Sequence, residues 1–502
     1  MRRRVERRAM WTQDSLCELI GNKLGDRKFI VVSNREPYIH TYSGNEIGCH
    51  MPASGLTTAL DPVMRSCGGT WVAHGSGDGD RDVVDETNRV PVPPGKPKYT
   101  LRRVWLSKEE ENGYYYGFSN EALWPLCHVS YTRPVFKESD WNTYKRVNQL
   151  FADAVLEEVG ERQAFVFVQD YHLALVPRLL KEANRNIIVA QFWHIPWPNP
   201  EAFRICPWQT EILDGLLGND LLGFHIRYHC NNFLDTVDRA VEARVDRERY
   251  EVTRGGKKTT VQPFPISVDF EQIELEARGH EVEDEMERLR KTLGIGDQLV
   301  GLGLDRIDYT KGIPDRLIAF DRFLEKWPDY KGRVVFIQGG VPSRVHIGVY
   351  KSLNDEIDRL VEEINWKHGS GHWKPVVYLK EHLSPVTLHA LCRMATFCVV
   401  SSLHDGMNLV AKEFVASRFD EDGVLILSPF TGAARELTAA ILVNPYAADH
   451  FAAAIKEALE MPQAERQRRM RGMREGVAEN NIYKWAGDII SALVKFEFGN
   501  RG

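Results

Sequence analysis

Nine short apolar runs, most of them rich in β-branched residues, recur along this chain between stretches of helical character. KFIVVSN (28–34), AFVFVQD (164–170), NIIVAQFWH (186–194) and NDLLGFH (219–225) fall in the first half. QLVGLGLDR (298–306), RVVFIQG (333–339), PVVYLKE (375–381), ATFCVVSS (395–402) and GVLILS (423–428) fall in the second. A strand that buries one face alternates apolar and polar residues, whereas one covered on both faces reads as a continuous apolar run. The pattern therefore predicts parallel strands flanked by helices, an α/β fold. At 502 residues the chain exceeds what one core usually fills, so the two sets of runs predict two domains, each with its own sheet. The junction is expected near Pro265, where QPFPIS gives way to the charged helical stretch FEQIELEARGHEVEDEMERLRKTLG. Near the end, Trp485, Ile489, Ile490, Leu493, Val494 and Phe496 recur at helical spacing, so that helix can pack on either domain.

Charge and cysteine usage narrow the functional classes. With 64 basic against 70 acidic residues the net charge is -6, so no global basic field exists to hold a nucleic-acid backbone, and any anion must be bound locally. The 8 cysteines lie singly, without CxxC pairs or zinc-ligand spacing, and read as reduced thiols, mostly buried. MRRRVERRAM is basic but leads into a polar helical segment rather than a signal sequence. No apolar run approaches the roughly 20 residues needed to span a bilayer. A cytoplasmic protein without membrane or nucleic-acid partners is expected; self-association into a homo-oligomer is left open.

Open parallel sheets bind ligands beyond the carboxyl ends of their strands, and two sheets facing each other are expected to form a cleft. The unusual residues fall at such ends. CVVSSLHDGMNLVAKEFVAS (398–417) reads as strand, loop and helix. Backbone N–H groups around Met407, Asn408 and Leu409 would hold a phosphate at the helix start. Asp405 would accept sugar hydroxyls, and Glu413, about one turn on, would chelate a ribose. The plainer reading makes Asp405 the helix cap and Glu413 a solvated acid. In LGLDRIDYTKGIPDRLIAF (302–320), Arg306 ends a strand and Lys311 follows beside Gly312, two fixed cations suited to a diphosphate leaving group.

Arg35 follows the first strand, and the small Ser54-Gly55 turn lets backbone approach a ligand. Arg344 follows another strand in GGVPSRVHIG, so Arg35 and Arg344 together suit an acceptor phosphate. YYYGFSNEALWPLCH (114–128) packs a core or presents aromatic faces and Tyr hydroxyls to a sugar phosphate. Asp170 and His194 each end a strand and can meet over one pocket. GSGDGDRD (75–82) contains Asp-x-Asp, but its glycines suggest a flexible surface loop, and no metal is expected because Arg306, Lys311 and a helix N-terminus already supply positive charge.

Taken in order, YGFSNEALWP, VQDYHL, HIPWPNPE, DLLGFH, DRIDYTKG, VPSR, HDGMNLVAKE and SPFTGAARELTAAILVNPY resemble the trehalose-6-phosphate synthases of glycosyltransferase family 20. The resemblance runs from KFIVVSNREPY to the last helix. It implies a GT-B fold of two Rossmann-like domains, residues 1–265 for the acceptor and 266–480 for the nucleotide sugar, with 481–502 packing back on the first. It implies UDP-glucose as donor and glucose-6-phosphate as acceptor, with no cofactor required. It makes Arg306 and Lys311 the diphosphate ligands, Glu413 the ribose ligand, Asp405 and Gly55 contacts of the donor, and Met407, Asn408 and Leu409 backbone contacts. Arg35, Tyr115, Trp124 and Arg344 match the acceptor-phosphate group, Asp170 the acceptor hydroxyls, and His194 the donor sugar near the reacting carbon.

The resemblance implies retention of configuration by front-face attack, which fits the absence of a carboxylate pair that stands out for double displacement. His194, Asp170, Arg306, Lys311 and Asp405 would then act by positioning and charge stabilisation. Three departures bear on the acceptor side: Ser54-Gly55-Leu56 for Gly-Gly-Leu, Trp71-Val72-Ala73-His74 for WFGW, and Val345-His346 after VPSR. Rival readings are a transferase to glycerol-3-phosphate, disfavoured by Arg344 and YGFSN, and a non-catalytic sensor of sugar phosphates, disfavoured by the full donor set. A dinucleotide-dependent dehydrogenase would need GxGxxG where SNREPY stands.

Overall fold

All nine apolar runs form strands, because each is short enough to cross a sheet and apolar enough to be covered on both faces. The computed structural model describes residues 11–25, 27–52, 55–344 and 346–498. The Arg-rich start, Ser54 and Val345 lie outside the described residues. Ser267–Asn481 makes one compact unit, and the chain up to Ile266 makes another together with the segment from Ile482 onward.

The first unit contains β1 (Lys28–Arg35), β2 (Ile39–Ser43), β3 (Glu46–His50), β4 (Thr70–His74), β5 (Arg89–Val92), β6 (Tyr99–Val104), β7 (Ala164–Gln169), β8 (Ile187–Phe192), β9 (Leu221–Phe224), β10 (Arg244–Asp246), β11 (Glu251–Arg254) and β12 (Lys257–Pro263). Ten of them form one sheet in the order β10-β11-β12-β9-β8-β7-β1-β4-β6-β5. Its interior pairings are parallel, and its two edges are antiparallel. Every residue of β7 and β8 is buried, which is why neither shows alternation. From β1 the chain goes outward to β4 and β6, then returns to β7 on the other side of β1. The switch point at which such sheets bind ligands thus lies between β1 and β7. The helix Ile482–Leu493 belongs to this unit, setting Trp485 against Phe167 and Phe192 with ring centroids 6.0 and 5.3 Å apart.

The second unit contains β13 (Leu299–Arg306), β14 (Val334–Val341), β15 (Val376–Leu379), β16 (Phe397–Val400), β17 (Val424–Leu427) and β18 (Ile441–Leu442). These pair in the order β15-β14-β13-β16-β17-β18, parallel throughout. Here the strand order reverses between β13 and β16. The charged stretch after Pro265 forms two helices, Phe270–Ala277 and His280–Leu293, separated by Gly279.

The loop 75–82 lies partly at the surface, with Ser76, Asp78, Arg81 and Asp82 exposed, but it is anchored where flexibility was expected. It follows β4 directly, and Asp80 is fully buried against Arg103 at 2.7 Å. Asp78 and Asp82 accept from the backbone N–H and hydroxyl of Tyr42 at 3.0 and 2.9 Å, pinning the loop to the β2–β3 hairpin. Cys127, Cys206, Cys230, Cys392 and Cys398 are buried free thiols, while Cys17 and Cys49 are exposed. Among the described residues no helix is long and apolar enough to cross a membrane.

Candidate active site

In the second unit the sequence motifs meet at the β13/β16 switch point. β13 ends in Arg306, and Asp308 caps the short turn Tyr309–Lys311 by accepting from Thr310 N–H at 3.0 Å. Gly312 follows with φ +60, where a Cβ would fall 2.4 Å from the Ser401 carbonyl. Glycine is therefore required there both by the left-handed backbone and by the adjoining strand end. The turn delivers Lys311 Nζ to Asp405 Oδ2 at 2.5 Å. Ser402 Oγ and Asn408 Nδ2 donate to the same oxygen, each at 3.2 Å. Arg306 is half-buried, and among the described residues no side-chain hydrogen bond or ion pair engages its guanidinium.

Asn408, rather than Asp405, caps the helix Leu409–Ser417: its Oδ1 accepts from Ala411 N–H at 3.1 Å. Its φ of +95 is costly for a residue with a side chain and brings the amide into both the cap and the Asp405 cluster. Met407 is buried, and Leu409 opens the helix, within the first turn whose N–H groups lack intrahelical partners. Glu413 lies one turn on; burial raises its carboxyl pKa, with His389 opposing. The loop 428–433 braces this arrangement, since Phe430 O accepts from Asp405 N–H at 3.1 Å and Gly432 N–H donates to Asp405 O at 3.2 Å. Lys412, buried on the same helix, reaches Glu436 at 2.5 Å.

Arg344, expected to help hold an acceptor phosphate, makes an internal ion pair. It is nearly buried within its own unit, with Nη1 3.3 Å from Asp308 Oδ2 and 2.5 Å from the Tyr350 hydroxyl. Burial would raise the Asp308 pKa, but Arg344 first, then the Thr310 N–H, Arg306 and Lys311, hold it below the usual range. Asp308 thus pairs directly with Arg344 and also feels the charges of Arg306 and Lys311.

In the first unit, the β1–β4 register shifts between Ser33 and Arg35, a bulge that sets Arg35 opposite His74 at the strand end. Arg35 Nη2 donates to the Tyr115 hydroxyl at 3.2 Å, and Tyr115 stacks on His172 with centroids 5.6 Å apart. Tyr115 lies in a π-helical stretch, Asn112–Leu123, a rare conformation associated with functional sites. Trp124 is buried against His128 and Tyr171, as a core residue would be. His74 donates from Nδ1 to Val104 O at 3.2 Å, and burial lowers its pKa. Gly55 is the first residue of the helix Gly55–Cys67.

Asp170 and His194, from β7 and β8, do meet. Asp170 adopts φ +69 and ψ 173, a region otherwise occupied by glycine. That strained turn lets Oδ1 accept from both Tyr171 N–H at 2.9 Å and His194 N–H at 3.1 Å. The His194 ring retains some surface but is ringed by protein, donating from Nε2 to Gln169 Oε1 at 2.9 Å. Burial pulls its pKa down to about 3. We expect its imidazole nitrogen shifts to stay constant from about pH 5 to 8 by NMR, because a neutral ring has nothing to titrate there; a midpoint near the ordinary value of 6.5 would refute this. Sequence reasoning missed His225, whose Nε2 donates to the His194 carbonyl at 3.0 Å, although its signal, the terminal His of DLLGFH, was in view.

Among the described residues, no group of three or more His, Cys, Asp or Glu side chains is arranged to hold a metal ion. The sequence profile of glycosyltransferase family 20 matches residues 27–495. The chain belongs to glycosyltransferase family 20. Its relatives in that family include a trehalose-6-phosphate synthase of Mycolicibacterium vanbaalenii, 38% identical over 94% of this chain and 97% of the relative. A bifunctional trehalose-6-phosphate synthase/phosphatase of Thermoproteus tenax is 37% identical over 93% of this chain, which spans 63% of that relative's length. Among solved structures, the E. coli trehalose-6-phosphate protein bound with UDP-2-fluoro glucose superposes with TM-score 0.83 at 31% identity, covering 94% of this chain and 99% of that one. An α,α-trehalose-phosphate synthase (UDP-forming) from Burkholderia xenovorans in complex with glucose-6-phosphate gives 0.83 at 30% identity, covering 93% and 99%. The chain accordingly has the GT-B class of fold, built from two α/β units whose sheets are mainly parallel.

Proposed function

We propose that this family 20 member transfers glucose from UDP-glucose to glucose-6-phosphate with retention, releasing trehalose-6-phosphate and UDP. The observation that carries the reading is the convergence of Lys311, Asp405, Ser402 and Asn408 beside Arg306 at the β13/β16 switch point. Relatives similar over nearly the whole chain are named for this synthesis, and solved neighbours hold a UDP-sugar analogue and glucose-6-phosphate.

Arg306 and Lys311 are assigned to the diphosphate, with the N–H groups of 407–409 beside them and Glu413 on the ribose. When Lys311 turns to the diphosphate, Asp405 is released to accept donor hydroxyls, so one ion pair becomes two substrate contacts. As the bond from the anomeric carbon to the phosphate oxygen breaks, charge gathers on UDP, and the two cations stabilise it. The acceptor oxygen bonds to the same face of that carbon and passes its proton to the departing phosphate oxygen. Asp170 and neutral His194 are assigned to the sugars, and Arg35 with Tyr115 to the acceptor phosphate; Gly55 belongs to the donor contacts. Trp124 acts through packing. Arg344 reaches a phosphate only by leaving Asp308 and Tyr350, so its contribution falls on acceptor KM.

The reaction needs no metal in this reading, since side chains supply the positive charge, and its substrates are those of the cytoplasm. The test is UDP release from UDP-, GDP- and ADP-glucose against glucose-6-phosphate, glycerol-3-phosphate and free glucose. UDP-glucose with glucose-6-phosphate should give a non-reducing phosphorylated disaccharide, at a rate unchanged by full chelation. Preference for glycerol-3-phosphate, or strict magnesium dependence, would overturn the respective assignment.

A further inference from the structure

We infer that Arg316 is a positioning residue for the donor site: one buried guanidinium that holds Arg306, Lys311 and the 401–408 loop in register. Arg316 lies in the first turn of the helix Ile313–Lys326, with its side chain 1% exposed. Nη2 donates to Asp305 Oδ2 at 2.6 Å and to the Lys311 carbonyl at 3.2 Å. Nε donates to Ser401 Oγ at 2.8 Å, and that hydroxyl donates onward to the Gly312 carbonyl at 2.8 Å. Nη1 reaches Gln338 Oε1 at 3.3 Å. The fork thus grips the residue before Arg306, the backbone of Lys311, and the strand end four residues before Asp405.

Three further facts favour placement over stability as its purpose. A buried ion pair is a poor stabiliser compared with apolar packing of equal volume, so its retained value lies in fixing geometry. Two glycines make room for the network: a Cβ at Gly303 would fall 2.4 Å from Arg316 Nη1, and one at Gly312 2.4 Å from Ser401 O. Glycine inside a strand weakens that strand, so the sequence gives up local stability to admit the guanidinium. Finally, only a planar fork of five N–H donors can serve these acceptors at once; a lysine ammonium cannot. A misplacement of about 1 Å in such a site costs about 10²-fold in rate.

This inference rests on the assignment of Arg306 and Lys311 to the diphosphate. The test compares Arg316→Lys, Gly303→Ala and Ser401→Ala with Lys311→Ala in the full chain, reading kcat, both KM values, UDP affinity by calorimetry, and thermal unfolding. Arg316→Lys and Gly303→Ala should lower kcat about 10²-fold and raise KM for UDP-glucose, leaving KM for glucose-6-phosphate unchanged. Ser401→Ala, which removes the hydroxyl linking Arg316 Nε to the Gly312 carbonyl but leaves the other guanidinium contacts, should cost about tenfold in the same direction and serves if the other two fail to fold. Wild-type kcat and KM per folded molecule, with only a lowered melting temperature, would overturn the inference. If Lys311→Ala itself keeps full turnover, the diphosphate assignment has failed instead.

Discussion

Exchanging Lys311 for alanine should lower turnover by about 10²–10³-fold, the cost of removing one preorganised donor from a developing oxyanion, while the protein unfolds as cooperatively as before. The side chain is only 14% exposed, yet among the described residues it pairs with Asp405 alone, which keeps Ser402 and Asn408 as donors when the lysine is gone. The fold therefore loses little while the leaving group loses a cation. Arg306→Ala should behave alike, because among the described residues its guanidinium makes no side-chain hydrogen bond or ion pair. UDP-release kinetics beside thermal unfolding decides the matter; turnover within tenfold of wild type for Lys311→Ala would remove it from the diphosphate site.

The largest effect on stability is expected at Arg103, far along the chain from the donor residues. Its guanidinium is fully buried and meets Glu36 at 2.9 Å and Asp80 at 2.7 Å, with the Tyr38 and Asp80 carbonyls also accepting from it. Arg103→Met fills much of the volume but strands two acids in the interior, costing about 3–5 kcal/mol. At roughly 2–4 °C per kcal/mol for units of this size, melting should fall by about 10 °C or more. The pair also predicts a pH slope. Burial first, then a hydrogen bond with Asp80, raises the Glu36 pKa from 4.5 to about 8. The native state then keeps a proton that the unfolded chain releases above about 4.5, so stability declines as pH rises from there toward about 8. Glu36→Gln should flatten that decline in denaturant titrations; an unchanged slope would show that Glu36 is ionised throughout.

The parallel sheets were legible because burial on both faces removes polar residues from their strands. The elements that were not legible are those in which that rule fails. β3 is exposed at every residue, and β6 carries Arg102 and Arg103 into the interior, so neither presents an apolar run. The 75–82 loop misled for a related reason: its glycines are local, whereas the buried partner of Asp80 is Arg103, brought from another strand. At the candidate site, strand ends marked Arg35, Asp170, His194, Arg306 and Asp405 in advance. What no local pattern revealed was their pairing. Lys311 meets an acid 94 residues away, and Arg344 turns inward to Asp308. Nor did the strand glycine Gly303 announce the guanidinium for which it makes space.

The route of the chain bears on how the protein is made. Residues up to Ile266 and those from Ile482 share one unit, with Ser267–Asn481 inserted between them. On a ribosome the inserted unit, being continuous, has its whole sequence in hand before the outer one does. The earlier-synthesised sheet must wait for Trp485 to reach Phe167 and Phe192, and for Gly487, where a Cβ would strike the Trp11 ring, to close against that indole. Nascent chains stalled just short of Ile482 should therefore hold a protease-resistant second half and a first half still open to chaperones.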